Sequence, residues 1–208
     1  MTLRSLVVGA LETNAYLLVH DSRDALLIDP GGDAEAILAL LAREKANLRS
    51  IVLTHAHADH IGAAAAVQRA TGAPILLHEA DAALLADPML SLAAWTGADT
   101  EGLRVGRHLG HGDRVEISPA DPRDALRVLH TPGHTPGGIS LLGDGVVFTG
   151  DTLFAQGVGR TDFPSGSADD LFTSIREQLL TLPEATVVYP GHGPRTTIGD
   201  EKRLNPFL

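Results

Sequence analysis

The segment Thr54-His55-Ala56-His57-Ala58-Asp59-His60 places three imidazoles and a carboxylate directly after the apolar run Ile51-Val52-Leu53. Protonated, imidazoles this close repel one another; neutral, they make poor core. A divalent metal resolves both problems, because neutral imidazole and carboxylate are good ligands for zinc, iron or manganese. His55 and His57, two residues apart, point to the same side of an extended segment and can share one ion. Asp59 and His60, at the start of a predicted helix, can face a second ion beside it. A solvated histidine-rich loop is the bland alternative, and three further loops of similar design weigh against it.

Thr131-Pro132-Gly133-His134 follows the strand-like run Leu126 to Leu129. Thr149-Gly150-Asp151 follows Val146-Val147-Phe148, and Pro190-Gly191-His192 follows Thr186-Val187-Val188-Tyr189. Each is a β-branched or aromatic run that ends in Gly or Pro punctuation and then a single His or Asp. Four such elements imply strands that deliver ligands from one edge of a sheet structure. The candidate ligands are His55, His57, Asp59, His60, His134, Asp151 and His192.

At this point the chain resembles the metallo-β-lactamase-fold hydrolases, and within them the short, single-domain glyoxalase II-like (hydroxyacylglutathione hydrolase-like) branch. THAHADH matches that family's H-x-H-x-D-H motif. TPGHTPGG, FTGD and YPGHG match its later metal motifs in order and spacing, and Gly157 to Phe163 and Asn205 to Leu208 look like the short members. The resemblance implies one metal on His55, His57 and His134, a second on Asp59, His60 and His192, and Asp151 bridging them. It implies two divalent ions per chain, with zinc the first choice and iron or manganese compatible. Asp59 is the implied catalytic residue, binding the second ion and orienting the nucleophile. The implied reaction is cleavage of a small-molecule thioester of the S-acylglutathione type, or a related ester, by a metal-bridging hydroxide.

Thioesters are favoured over amides because a thiolate leaves without a proton, and no further acid stands near the loops. Full-length glyoxalase II enzymes hold glutathione on a C-terminal helical region, and little chain follows His192 here, so no glutathione contact carries over. Two other readings compete. A mononuclear iron persulfide dioxygenase shares THAHADH and GRTDF, but its last His loop tends to read Pro-Ala-His-Asp where this chain has Pro190-Gly191-His192-Gly193. A redox or regulatory module on the same fold would tend to replace or lose a ligand, and none of the seven is missing.

The bulk properties agree. The 208 residues suit one domain, 1–208, with a substantial core. A net charge of −10 argues against a nucleic-acid backbone as substrate. The absence of cysteine excludes disulfides and thiolate ligands. The N-terminus reads as a strand and not as a secretory leader, and no apolar run is long enough for a membrane span. A cytoplasmic location is expected, with no nucleic-acid or membrane partner; oligomeric state is left open.

The elements that must position these loops follow from patterning. Strands are expected at Leu3–Val8, Ala15–Val19, Ala25–Ile28, Ile51–Thr54, Pro74–Leu77, Val115–Ile117, Ala125–His130, Gly138–Leu142, Val146–Thr149 and Thr186–Tyr189. A helix capped by Asp33 should run to about Lys45, a second should start at Asp59 and carry Ile61, Ala64, Ala65 and Val67, and a third should span Ser167–Leu180. Glu79 to Leu92 reads as mixed helix and loop. Periodicity alone supports α/β or α+β. The resemblance implies α+β: a four-layer αββα sandwich, two mixed sheets face to face with helices outside. Among single residues, Asp29 is balanced between capping its turn and hydrogen-bonding a ligand histidine. Arg160 and Asp162 are expected to pair structurally. Tyr16, Tyr189 and Trp95 are expected in the core. His20, His78, His108, His111 and His130 are not expected to ligate.

Overall fold

The computed structural model describes residues 1–96, 98, 102–121 and 123–208. The first block of elements is β1 (Thr2–Val8), β2 (Thr13–Val19), β3 (Asp24–Ile28), α1 (Ala34–Glu44), β4 (Asn47–Val52), α2 (Ala58–Ile61), α3 (Ala64–Thr71) and β5 (Ile75–His78). After a 3₁₀ turn at Glu79–Asp81 come α4 (Ala82–Ala86), α5 (Ala93–Thr96) and β6 (Val105–Leu109). The second block is β7 (Arg114–Glu116), β8 (Ala125–His130), β9 (Ile139–Leu142), β10 (Val146–Gly150), the small hairpin β11 (Leu153–Phe154) and β12 (Gly157–Val158), α6 (Ala168–Ser174), β13 (Val187–Pro190), β14 (Thr196–Thr197) and α7 (Ile198–Leu204).

Strands β1 to β6 form one sheet in sequence order, and the second sheet has the order β14-β13-β10-β9-β8-β7. Both are mixed. β3, β4, β5 and β6 run parallel while β1 and β2 are antiparallel. In the second sheet β10 and β13 are parallel neighbours within an otherwise antiparallel set. Side-chain alternation sorts the core into three slabs. Leu18, Leu26, Ile28, Val52 and Leu76 of the first sheet meet Leu126, Val128, Leu141 and Phe148 of the second. Their neighbours Leu17, Leu27, Ile51 and Leu77 point the other way, against Ile37 and Leu41 of α1 and Val67 of α3. Leu129, Val147 and Val188 cover Leu171 and Ile175 on the far side. Central strands buried on both faces read as continuous apolar runs and not as alternation, which is why the sequence showed them plainly. The result is the expected α+β, four-layer αββα sandwich. No helix among the described residues is long and apolar enough to cross a membrane.

Several local expectations change. The helix expected from Asp59 onward is broken into α2 and α3, because the amide of Ala63 donates to Pro30 O at 2.8 Å instead of continuing the helical ladder. Asp33 does not cap α1 with its side chain. It adopts a left-handed conformation, φ 51°, and its carboxylate accepts from the Gly9 amide at 2.8 Å. Ser167 does cap α6, but after Ser174 the helix widens into a π-type turn over Ile175–Leu179. β6 escaped notice because only Leu109 on it is buried; α7 carried no strong apolar period. Trp95 is not in the core: it is 64% exposed.

Candidate metal centre

All seven candidate ligands follow the C-terminal ends of β4, β8, β10 and β13, and Asp29 follows β3. Open sheets bind ligands at such ends because the chain there is free of ladder constraints. Backbone bonds latch the loops together: the Ile139 amide donates to Thr54 O at 2.9 Å, Gly191 N to Gly150 O at 2.8 Å, and Asn14 N to Gly191 O at 2.7 Å. Asn14 Nδ2 and Tyr16 OH both donate to Pro190 O, at 3.1 and 2.6 Å, so the buried Tyr16 holds the His192 loop from below. Gly191 is required by close approach, since a Cβ there would collide with Asp151 Oδ1 and stand 2.6 Å from His60 Cε1.

The structure brings every predicted ligand into one cluster. His55, His57 and His134 form one group, Asp59, His60 and His192 another, and His55, His60 and Asp151 a third that overlaps both, each with its ligand atoms within 4.8 Å of one another. His57 Nδ1 lies 2.8 Å from His134 Nε2. Asp59 Oδ2 lies 3.1 Å from His192 Nε2 and 3.6 Å from His60 Nε2. Asp151 reaches both groups, with Oδ1 3.3 Å from His60 Nε2 and Oδ2 3.7 Å from His134 Nε2.

Hydrogen bonds behind the cluster set which nitrogens face inward. Thr54 gives its only hydroxyl proton to Asp29 Oδ2 at 2.7 Å, so Thr54 Oγ1 must accept from His55 Nδ1–H at 3.1 Å. Asp29 Oδ2 also accepts from His60 Nδ1–H at 3.0 Å, and the Arg160 carbonyl from His134 Nδ1–H at 2.8 Å. All three imidazoles therefore turn Nε2 towards the centre, where its lone pair is offered once that nitrogen is unprotonated, the arrangement by which outer carboxylates and carbonyls orient metal-ligating histidines. His55 Nε2, His57 Nε2, His60 Nε2 and Asp151 Oδ1 are buried without a hydrogen-bond partner. Orphaned buried donor atoms of this chemistry fit divalent cations.

The charges agree. Burial pushes the His55 imidazole well below its ordinary value, helped by His60, and burial together with His134 takes His57 down to about 3. These two stay neutral. His60 goes the other way: burial lowers it, but the carboxylates of Asp151, Asp59 and Asp29 outweigh that and raise it well above the usual range. His192 is likewise raised, its burial overcome by the Asp59 hydrogen bond and by Asp151. Burial raises the Asp59 and Asp151 carboxyls, yet His60 above all holds both below the ordinary value.

Asp29 thus hydrogen-bonds His60, one of the candidate ligands, and does not merely serve its own turn. Arg160 and Asp162 pair side by side at 2.9 Å, and the guanidinium lies 4.2 Å from the Phe163 ring centre. Both side chains are largely exposed, so the pair adds little stability. The part of Arg160 that serves the site is its carbonyl. The remaining histidines stay away from the cluster; His78 and His130 stack on each other with ring centres 4.1 Å apart.

One residue was missed. Asp81 is fully buried and accepts from Ala56 N at 2.9 Å, Thr135 Oγ1 at 2.9 Å and Gly137 N at 2.6 Å. It joins the His55–His57 segment to the His134 loop. No signal near His78-Glu79-Ala80-Asp81 announced this, because its partners are distant in sequence. Three converging donors need a carboxylate, and an amide would turn its NH₂ on one of them. Asp81→Asn is expected to cost about 1–3 kcal/mol of stability and to weaken metal binding about 10- to 100-fold. Thermal melts and metal titration of the variant check this; wild-type values in both would contradict it.

A family model of the metallo-beta-lactamase superfamily matches residues 8–192. The chain is 39% identical over its full length to the probable metallo-hydrolase YqgX of Bacillus subtilis, covering 98% of that protein. It is 37% identical over its full length to the hydroxyacylglutathione hydrolase GloC of Haemophilus influenzae, again covering 98%. The crystal structure of TTHA1623 in a di-iron-bound form superimposes with a TM-score of 0.88 at 40% identity, over 99% of this chain and 100% of that one. With the fold, the His and Asp clusters and these relatives in agreement, the chain belongs to the metallo-beta-lactamase superfamily of metal-dependent hydrolases, whose fold binds divalent metals.

Proposed function

We propose that this protein is a dinuclear thioester hydrolase of the glyoxalase II type, acting on S-acylglutathione or a related small acyl thiol. The observation that carries the reading is the pair of complete ligand groups, His55–His57–His134 and Asp59–His60–His192, with the Asp151 carboxylate reaching both. Two divalent ions would be held there, zinc first; the di-iron form of TTHA1623 makes iron the alternative. When bound, such ions lower the pKa of a water towards ~7 and polarise a carbonyl.

The chain's own residues supply the rest. Asp59, whose Oδ2 accepts from Thr13 Oγ1 at 3.2 Å, is held in one orientation and directs the nucleophile. Phe163, edge-on to His57 with ring centres 5.5 Å apart, and Phe154, 6.2 Å from His192, wall the site against bulk water. The mouth is lined by Leu11, Leu92, Phe154, Arg160 and Phe163 around the cluster residues. None of these can donate a proton at neutral pH, since Arg160 is held charged by Asp162. A thiolate departs without a proton and an amine needs one, which favours thioesters over amides. We also read residues 1–208 as one domain, because Ile198 of α7 packs into the same slab as Leu129.

Metal content of protein purified without added metal, measured beside a thioester panel, tests the proposal. Two ions per chain with thioester turnover is expected. One ion, no thioester turnover and oxygen consumption on a persulfide would replace it with the dioxygenase reading. Among the described residues Arg160 is the one Lys or Arg that lines the mouth, and it is already paired, so the glutathione carboxylates find little complement. The preference in kcat/KM for S-lactoylglutathione over a truncated thiol ester is expected to stay below ~100-fold. A larger ratio would reveal a dedicated glutathione site.

A pH dependence follows from the charges. His60 and His192 are raised above the usual histidine value and hold protons until the pH exceeds it. An incoming cation must displace those protons, so uptake should release protons and weaken as pH falls. Calorimetric titration of the chelated protein in buffers of different ionisation enthalpy measures the release; uptake indifferent to pH would contradict the assignment.

A further inference from the structure

Trp95 is the chain's only tryptophan, and it stands 64% exposed on the short helix α5. Leu11, on the loop between β1 and β2, is 56% exposed. Tryptophan is rarely left this open without a function, because its large apolar face gains so much from being covered. The two side chains flank a groove of about 500 Å³ whose floor is largely backbone of Gly9, Gly31, Gly32 and Gly62. Leu11 and Asp59 line both this groove and the mouth of the metal cluster, so the two hollows adjoin at these residues.

That adjacency bears on the substrate. An acyl thiol whose carbonyl sits at the cluster sends two arms away from it, one from the acyl carbon and one from the sulfur. The mouth over Phe163 and Arg160 accommodates one arm; the other needs a second lobe. Among the described residues no Lys, Arg or His lines the Leu11–Trp95 groove. The one ionic group among its described lining residues, Asp59, is engaged by Thr13 and His192. An anionic or strongly polar arm finds no complement there, whereas a hydrocarbon covers Trp95 and Leu11.

We propose that the Leu11–Trp95 groove is the binding lobe for an apolar arm of the thioester, an alkyl or aryl chain that covers the Trp95 face. The assignment rests on the reading of the cluster as a thioester hydrolase and adds the substrate class: acyl thiols with one hydrophobic arm. Trp95 and Leu11 are specificity residues here and take no part in bond breaking.

The single tryptophan makes the test direct. Trp95 emission of the metal-loaded protein is followed while S-methyl, S-hexyl and S-octyl thioethers of one thiol are added. A saturable shift with the longer chains and none with S-methyl is expected. In parallel, kcat/KM is measured for acetyl, hexanoyl and octanoyl esters of one thiol, and for acetyl esters of thiols of rising chain length. One series should climb by about tenfold or more with length, which tells whether the acyl or the thiol arm enters the groove. Trp95→Ala should flatten that climb through KM, and Trp95→Phe should restore most of it. Flat series with unmoved emission, beside good acetyl ester turnover, would overturn the groove assignment while leaving the hydrolase intact. No turnover of any thioester would instead overturn the hydrolase reading, while the thioether titration would still report on the groove. Emission that shifts with protein concentration and not with ligand would show a second copy covering Trp95, and would overturn the proposal as well.

Discussion

His57→Ala is expected to lower kcat/KM on any thioester the parent cleaves by about 10³-fold or more, equivalent to roughly 4 kcal/mol of transition-state stabilisation. His57 Nδ1 faces His134 Nε2 at 2.8 Å, and with His55 these make the first ligand group. A catalytic site of this kind holds its ion with three protein ligands, and two do not suffice. The fold should survive. His57 is only 2% exposed, but it is surrounded by imidazoles and carboxylates and contributes no apolar core. Its value of about 3, set by burial and by His134 and His60, means that it is neutral at working pH, so its removal deletes no ion pair. The variant should melt within a few degrees of the parent while losing bound metal. Chelation of the parent should reproduce the activity loss, and re-addition of metal should restore the parent but not the variant. Near-parental turnover by His57→Ala would mean that the metals are not the catalyst.

Gly31→Ala should be the most damaging small substitution outside the ligands. A Cβ at this position would fall on the Asp59 carbonyl oxygen, far inside contact distance, and stand 2.8 Å from the Asp59 carbonyl carbon. Both sides of that contact are backbone, so no rotamer change relieves it. The turn after β3 and the helix α2 would have to separate, carrying Asp59 away from His60 and His192. Overpacking of this kind costs about 3 kcal/mol or more, or roughly 6–12 °C in Tm for a chain of this size. The Asp59–His60–His192 ion should be lost before the fold is. Gly110→Ala is the control, since a Cβ there meets nothing within 4 Å. Equal melting points for the two variants would show that the turn is softer than its contacts imply.

The candidate ligands were legible in the sequence because each is a local event. A strand run, a Gly or Pro and a single His or Asp are neighbours in sequence, and the C-terminal edge of a sheet is where such a loop emerges. The central strands were legible for a similar reason: strands buried on both faces must be continuously apolar. Helix caps and lengths were less so. The helix expected through Gly62 breaks because Pro30 O, over thirty residues earlier, takes the Ala63 amide, a competition no propensity encodes.

By itself, then, the sequence determined the candidate donor set and the order of the loops that carry it, which depend on residue type and short-range spacing, while the layer architecture came from the family resemblance of the motifs and not from periodicity. Tertiary structure alone decided what acts through space. It set Asp29 against both Thr54 and His60, and it ran Asp81 across to Ala56, Thr135 and Gly137. It turned the Nε2 atoms of His55, His60 and His134 inward, and it left Trp95 outside a core that composition would have assigned it. The physical reason is the same in each case. A hydrogen bond or an exposed face is a property of two surfaces meeting, and which surfaces meet is settled only when the sheets have packed and the loops have closed over them.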